Sequence, residues 1–170
     1  MGLAPTTSTT VMMALGDTLA VALLERRGFS ADDFQLFHPG GQLGHILLKV
    51  SEIMHRDDAL PLTDRATPMS EALLVMTAKR FGCVGVVDEH GALMGIITDG
   101  DLRRNMSADL LDLQAEMVMT ASPKTIGPES LASEAVQIMN AKTITSLFVV
   151  DQNRAIGIVH IHDCLRMGAA

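Results

Sequence analysis

The chain has 170 residues, 48% of them hydrophobic, a formal net charge of −7, and neither Trp nor Tyr. That length and apolar content can fill one ordinary core, or two small modules that share a core. The acidic balance, with no basic cluster interleaved with aromatics, excludes a binder of nucleic-acid phosphates.

No uninterrupted apolar run approaches the roughly 18 residues of a bilayer span, so no membrane partner is expected. The start MGLAPTTSTT lacks the basic end and apolar middle of a signal peptide. A soluble cytoplasmic protein is expected, with Cys83 and Cys164 as free buried thiols.

From the N-terminus, TSTTVMMALGDTLAVALLERRG predicts a capped amphipathic helix. Thr9 or Thr10 is the available cap, Leu15, Leu19 and Leu23 form a stripe, and Arg26 and Arg27 precede a stopping Gly28. Ser30 with Asp33 three residues on is a second capping signature. The stretch LFHPGGQLGH (Leu36–His45) follows. Pro39 and the two glycines after His38 fix a turn and leave an imidazole on a loop, a placement suited to proton transfer near neutral pH.

The remainder is a repeat. TPMSEALLVM (Thr67–Met76) lines up with SLASEAVQIM (Ser130–Met139), about 63 residues on. CVGVVDEHGALMGIITDGDLRR (Cys83–Arg104) lines up with SLFVVDQNRAIGIVHIHDCLR (Ser146–Arg166). Each copy predicts a helix, two strands joined by a turn, and a short closing helix. In the first, Thr67 is the expected cap, with Pro68 opening the helix. Met69, Ala72, Leu73 and Met76 share one face, as do Ala132, Ala135, Val136 and Met139 in the second copy. Two such units would bury against each other what each leaves open.

The junction GIITDGDLRR suggests a ligand site. Thr98 can offer a hydroxyl to a phosphate, Asp101 can accept from ribose hydroxyls, and the helix start adds a positive end. The same residues also serve as ordinary helix-start residues without a ligand. In the second copy His160 replaces the threonine while Asp163 is kept, which makes Asp163 the weaker candidate. His160, His162 and Cys164 alternate, but the run crosses from strand to helix and leaves only two residues able to chelate together, so no metal is expected.

The Gly-apolar-apolar-Thr-x-x-Asp junction in a doubled unit resembles a tandem pair of cystathionine β-synthase (CBS) domains. The resemblance implies an α/β (α+β) fold of two β-α-β-β-α repeats with pseudo-two-fold symmetry, over 50–110 and 115–168. With GLAPTTSTT, HPGG, DGDLRR and H-x-HD-x-LR-x-G added, the whole chain resembles the arabinose-5-phosphate isomerases. Those convert D-ribulose 5-phosphate to D-arabinose 5-phosphate for Kdo and lipopolysaccharide synthesis. Residues 1–48 would then be the C-terminal segment of a sugar isomerase (SIS) domain, and His38 would match the family's proton-transfer position.

That reading implies a regulatory and oligomerising module with no cofactor, inactive by itself. Its expected partners are an adenine nucleotide or CMP-Kdo as effector, a sugar phosphate in the full-length enzyme, and copies of itself. The alternatives are a stand-alone ligand-sensing CBS protein with a docking arm at residues 1–48, or a purely structural dimerisation module.

Overall fold

The computed structural model describes residues 6–30, 33–34 and 47–168. It divides into two compact units, Met1–Gly44 and His45–Ala170. His38 and the rest of the HPGG loop lie outside the described residues.

In the first unit, α1 runs from Thr6 to Arg26. It starts before the expected caps, and the Thr9 and Thr10 hydroxyls donate to the Thr6 carbonyl at 3.0 and 2.9 Å. Inside a helix, a threonine hydroxyl finds the carbonyl three or four residues back more easily than a free amide. The C-terminal signal acts as expected. Gly28 takes φ +64°, and Phe29 and Gly28 donate to Leu24 and Glu25 at 3.1 and 3.0 Å, a Schellman closure. Ser30 and Asp33 pair reciprocally, and the hydrogen bond from the Ser30 amide holds the Asp33 carboxyl below its ordinary range.

Two expectations for α1 need correction. Besides the leucine stripe, it carries Val11, Met12, Met13 and Val21, so it is apolar on several faces rather than amphipathic. It is also long and apolar enough, by length and composition alone, to cross a membrane. Thr, Ser and Gly interrupt the apolar run without adding charge, and Asp17, Glu25 and Arg26 are its only ionic residues.

In the second unit, the first repeat comprises α2 (Val50–Ile53), β1 (Leu62–Asp64), α3 (Met69–Lys79), β2 (Cys83–Val87), β3 (Leu93–Thr98) and α4 (Asp99–Arg104). The second repeats this as α5 (Ala115–Val118), β4 (Thr120–Ala121), β5 (Thr125–Ile126), α6 (Ala132–Lys142), β6 (Ser146–Asp151), β7 (Arg154–His160) and α7 (Ile161–Arg166). One sheet has the order β1-β2-β3-β4 and the other β5-β6-β7. The expected tandem-pair architecture is present.

Each repeat's leading segment crosses to its neighbour. Strand β4 pairs with β3 of the first sheet, and His55 bridges to Ile158 in the second. The same exchange caps the two long helices. The Met69 amide donates to the Leu113 carbonyl at 2.8 Å, and Ala132 donates to Leu48 at 2.7 Å. This corrects the cap assigned to Thr67: Pro68 occupies the N-cap position with no side-chain cap bond. Backbone carbonyls of the other repeat satisfy the first free amides, so no side-chain cap is needed.

The helix faces fall as expected. Met69, Ala72 and Met76 are buried in one cluster, with Leu73 packed against it, and Ala132, Ala135, Val136 and Met139 are buried in another. A third cluster of Cys83, Phe148 and Ile158 joins the repeats. Here the internal symmetry breaks. The registers Gly85↔Ile96 and Phe148↔Ile158 make Gly85 and Phe148 equivalent positions, and a Cβ on Gly85 would stand 2.7 Å from the Phe148 ring. The glycine leaves the space that the ring fills.

Candidate functional site

Strand β3 delivers Thr98 to the start of α4, and Asp101 follows one turn on. Asp101 is buried, and its carboxylate accepts bonds on both oxygens. Oδ2 takes the Thr98 amide at 2.9 Å and its hydroxyl at 2.6 Å. Oδ1 takes the Thr120 hydroxyl at 2.6 Å and the Arg104 guanidinium. Burial pushes the carboxyl up, but the bonds from Thr120, Thr98 and Arg104 outweigh it and hold it below the ordinary range.

These residues sit at the edge of a cavity of about 570 Å³ lined by both repeats. The first repeat supplies Phe81–Cys83 and the β3–α4 junction; the second supplies Thr120, Ser122–Lys124 and Lys142–Ser146. Arg103, Arg104, Lys124 and Lys142 line it against the acids Asp99 and Asp101, so cations outnumber acids and an anion is favoured. Threonine and serine hydroxyls and the apolar Phe81 and Ile144 complete the wall, a mixture that suits a ligand with a polar tail and a flat head. Gly100 also lines the mouth, where a Cβ would approach Arg104 Nη1 to 3.3 Å and Thr98 Oγ1 to 3.5 Å.

The second junction is built differently. His55 occupies the position of Thr120, and its Nε2 lies 2.9 Å from Asp163 Oδ2. Arg166 donates to Asp163 Oδ1 at 2.8 Å, as Arg104 does to Asp101. The His55 ring stands edge-on to Phe81, with centroids 5.1 Å apart. The His160 and His162 rings lie 5.0 Å apart. Burial and then the His162 charge hold His160 below the ordinary histidine range. Cys164 is buried. Burial also pushes the Cys83 thiol up to about 12, so it is a core thiol rather than a nucleophile.

The structure thus brings Thr98 and Asp101 together as the sequence suggests and sets Asp163 apart in a second junction. Sequence reasoning passed over Thr120 and the 142–146 turn. Their signal was present in the repeat itself, since Thr120 stands where His55 stands. Only the exchange of leading segments aims it at Asp101.

The CBS domain family matches residues 50–108 and 115–169. The chain is 49% identical over 172 residues to arabinose 5-phosphate isomerase KdsD of Pseudomonas aeruginosa, with 99% of this chain and 53% of the relative covered. It is 45% identical over 171 residues to the Escherichia coli K12 protein of the same name, with 99% and 52% covered. It therefore spans about half the length of these curated relatives. Among solved structures, the CBS pair of MJ0100 in complex with 5′-methylthioadenosine and S-adenosyl-L-methionine superposes with a TM-score of 0.61 at 26% identity, over 71% of this chain and 95% of that one. CBSX2 in complex with AMP gives 0.61 at 21% identity, over 70% and 94%. The repeat, the two sheets and the junctions agree with these matches, and the chain belongs to the CBS-domain family as a tandem pair.

Proposed function

We propose that this chain is the C-terminal regulatory portion of an arabinose-5-phosphate isomerase, and that its first junction binds a nucleotide-type effector. One observation carries the effector reading: a cavity shared by both repeats, with Thr98, Asp101 and an excess of cations at its wall. The adenosine moiety common to both ligands of MJ0100 supports a nucleoside head. An adenine nucleotide and CMP-Kdo are the two candidates, because both present a ribose and a phosphate.

The filled carboxylate needs one exchange for this to work. The Arg104 side chain is 66% exposed against 4% for Asp101, so Arg104 can swing onto a phosphate at little cost. That movement vacates a site on Asp101 Oδ1 for a ribose hydroxyl, while Thr98 and Thr120 keep the carboxylate in place. Calorimetry with AMP, ATP, CMP and CMP-Kdo tests the reading. At least one should bind, and Arg104→Ala and Lys142→Ala should each weaken it by about two- to tenfold, with a further loss at high salt. No heat from any of the four leaves the structural dimerisation module as the better account.

The isomerase reading rests on the identity to the curated relatives across nearly the whole chain. With it go a cytoplasmic setting, a sugar phosphate substrate for the longer enzyme and His38 as its proton-transfer residue. The reading frame upstream of Met1 tests it. A sugar isomerase sequence in frame supports it, whereas an in-frame stop favours the stand-alone sensor. The exposed Leu74, Met106, Leu111 and Met117 favour self-association. Light scattering at micromolar concentration should give a dimer or a larger even assembly, and a stable monomer would refute that.

A further inference from the structure

The two junctions are equivalent by topology, yet three positions that face the ligand space in the first carry histidine in the second. Thr98 and His160 both end a strand and precede a closing helix. Thr120 pairs with Ile96, and His55 bridges to Ile158; both donate to the aspartate of their junction. Gly100 and His162 each occupy the second helical position. Hydroxyl, hydroxyl and hydrogen in the first site therefore become three imidazoles in the second.

The consequence is steric as well as chemical. His55 stands between Asp163 and the Phe81 ring, in contact with both. His162 puts a whole imidazole at the position where a Cβ in the first junction would already touch Arg104 Nη1 at 3.3 Å and Thr98 Oγ1 at 3.5 Å, and its ring lies 5.0 Å from that of His160. Around this cluster, Lys79 donates to the Asp58 carbonyl, so the counterpart of Lys142 is tied to the rim. Asp57 stands where Ser122 stands, both at positive φ of 51° and 53°. Leu165 replaces Arg103 on the closing helix. Ile161 likewise replaces Asp99 at the first helical position, so the second mouth exchanges one acid for another and loses a cation. Neither His160 nor Asp163 lies in the wall of the cavity of about 570 Å³.

We infer that His55, His160 and His162 close the second junction, so that the chain binds one nucleotide where its fold offers two places. This inference rests on the nucleotide reading of the first junction and adds its stoichiometry and the residues that set it. Because Asp163 and Arg166 keep the polar pair of the first site, trimming the three histidines to the first-site residues should open a second place.

Calorimetry on the 170-residue chain with AMP, ATP, CMP and CMP-Kdo tests this in three proteins. The parent should take one equivalent, with binding insensitive to Asp163→Ala. The triple variant H55T/H160T/H162G, checked for folding by circular dichroism, should take two. The reciprocal variant T98H/G100H/T120H should lose at least tenfold in affinity, and it decides the matter if the first triple variant does not fold. Two equivalents on the parent overturn the inference while the nucleotide reading stands. So does a folded H55T/H160T/H162G that still takes one, or an unimpaired T98H/G100H/T120H. No binding of any probe to the parent removes both readings together.

Discussion

Asp101→Ala is expected to weaken nucleotide binding by about ten- to a hundredfold and to cost the second unit about 2–4 kcal/mol of stability. Both effects follow from one carboxylate. In the folded chain it satisfies the Thr98 amide and hydroxyl, the Thr120 hydroxyl and the Arg104 guanidinium. Alanine leaves a part-buried amide and two hydroxyls without their acceptor and removes the tie between α4 and β4, the two elements that frame the cavity. Thermal unfolding and calorimetry measure the two losses separately.

The stability loss should also depend on pH in a defined direction. The folded-state carboxyl lies below its ordinary range, so its contribution is present above the unfolded-state value of about 3.9 and disappears as pH falls through the folded value. Parent and Asp101→Ala should therefore differ fully at pH 7 and converge in acid below about pH 4. A gap that stayed constant across that range would show that lost packing, not the charge network, causes the loss.

Phe148→Ala should destabilise the same unit by about 3–5 kcal/mol, the usual cost of removing a fully buried ring. The ring is 1% exposed and sits in the cluster that joins the two repeats. Its removal leaves a hole that Gly85 cannot fill. Gly85→Ala attacks the same contact from the other side, because the new Cβ would lie 2.7 Å from the Phe148 ring and 3.0 Å from Leu62 and Leu93. Overpacking of this kind costs about 1–3 kcal/mol. The double variant should lose less than the sum, since truncating the ring frees the space that the methyl group needs. Denaturant midpoints of the four proteins close the cycle, and strict additivity would refute the direct contact.

The sequence by itself determined the features that depend on a few neighbouring residues. The two strands β2 and β3 joined by a turn, the stripes of α3 and α6, the Gly28 stop and the pairing of Thr98 with Asp101 are written in spacing, because side-chain periodicity and end capping act within one or two turns. The doubling of these signals specified a tandem pair. Tertiary structure decided everything carried by contacts between distant residues. It took the capping of α3 from Thr67 and gave it to Leu113, because an exchanged backbone carbonyl reaches the free amide first. It placed Thr120 on Asp101 and His55 on Asp163, through pairings 19 and 108 residues apart in the chain. It also set one phenylalanine into the gap left by one glycine, a complementarity that no local pattern encodes because either residue alone suits a buried strand.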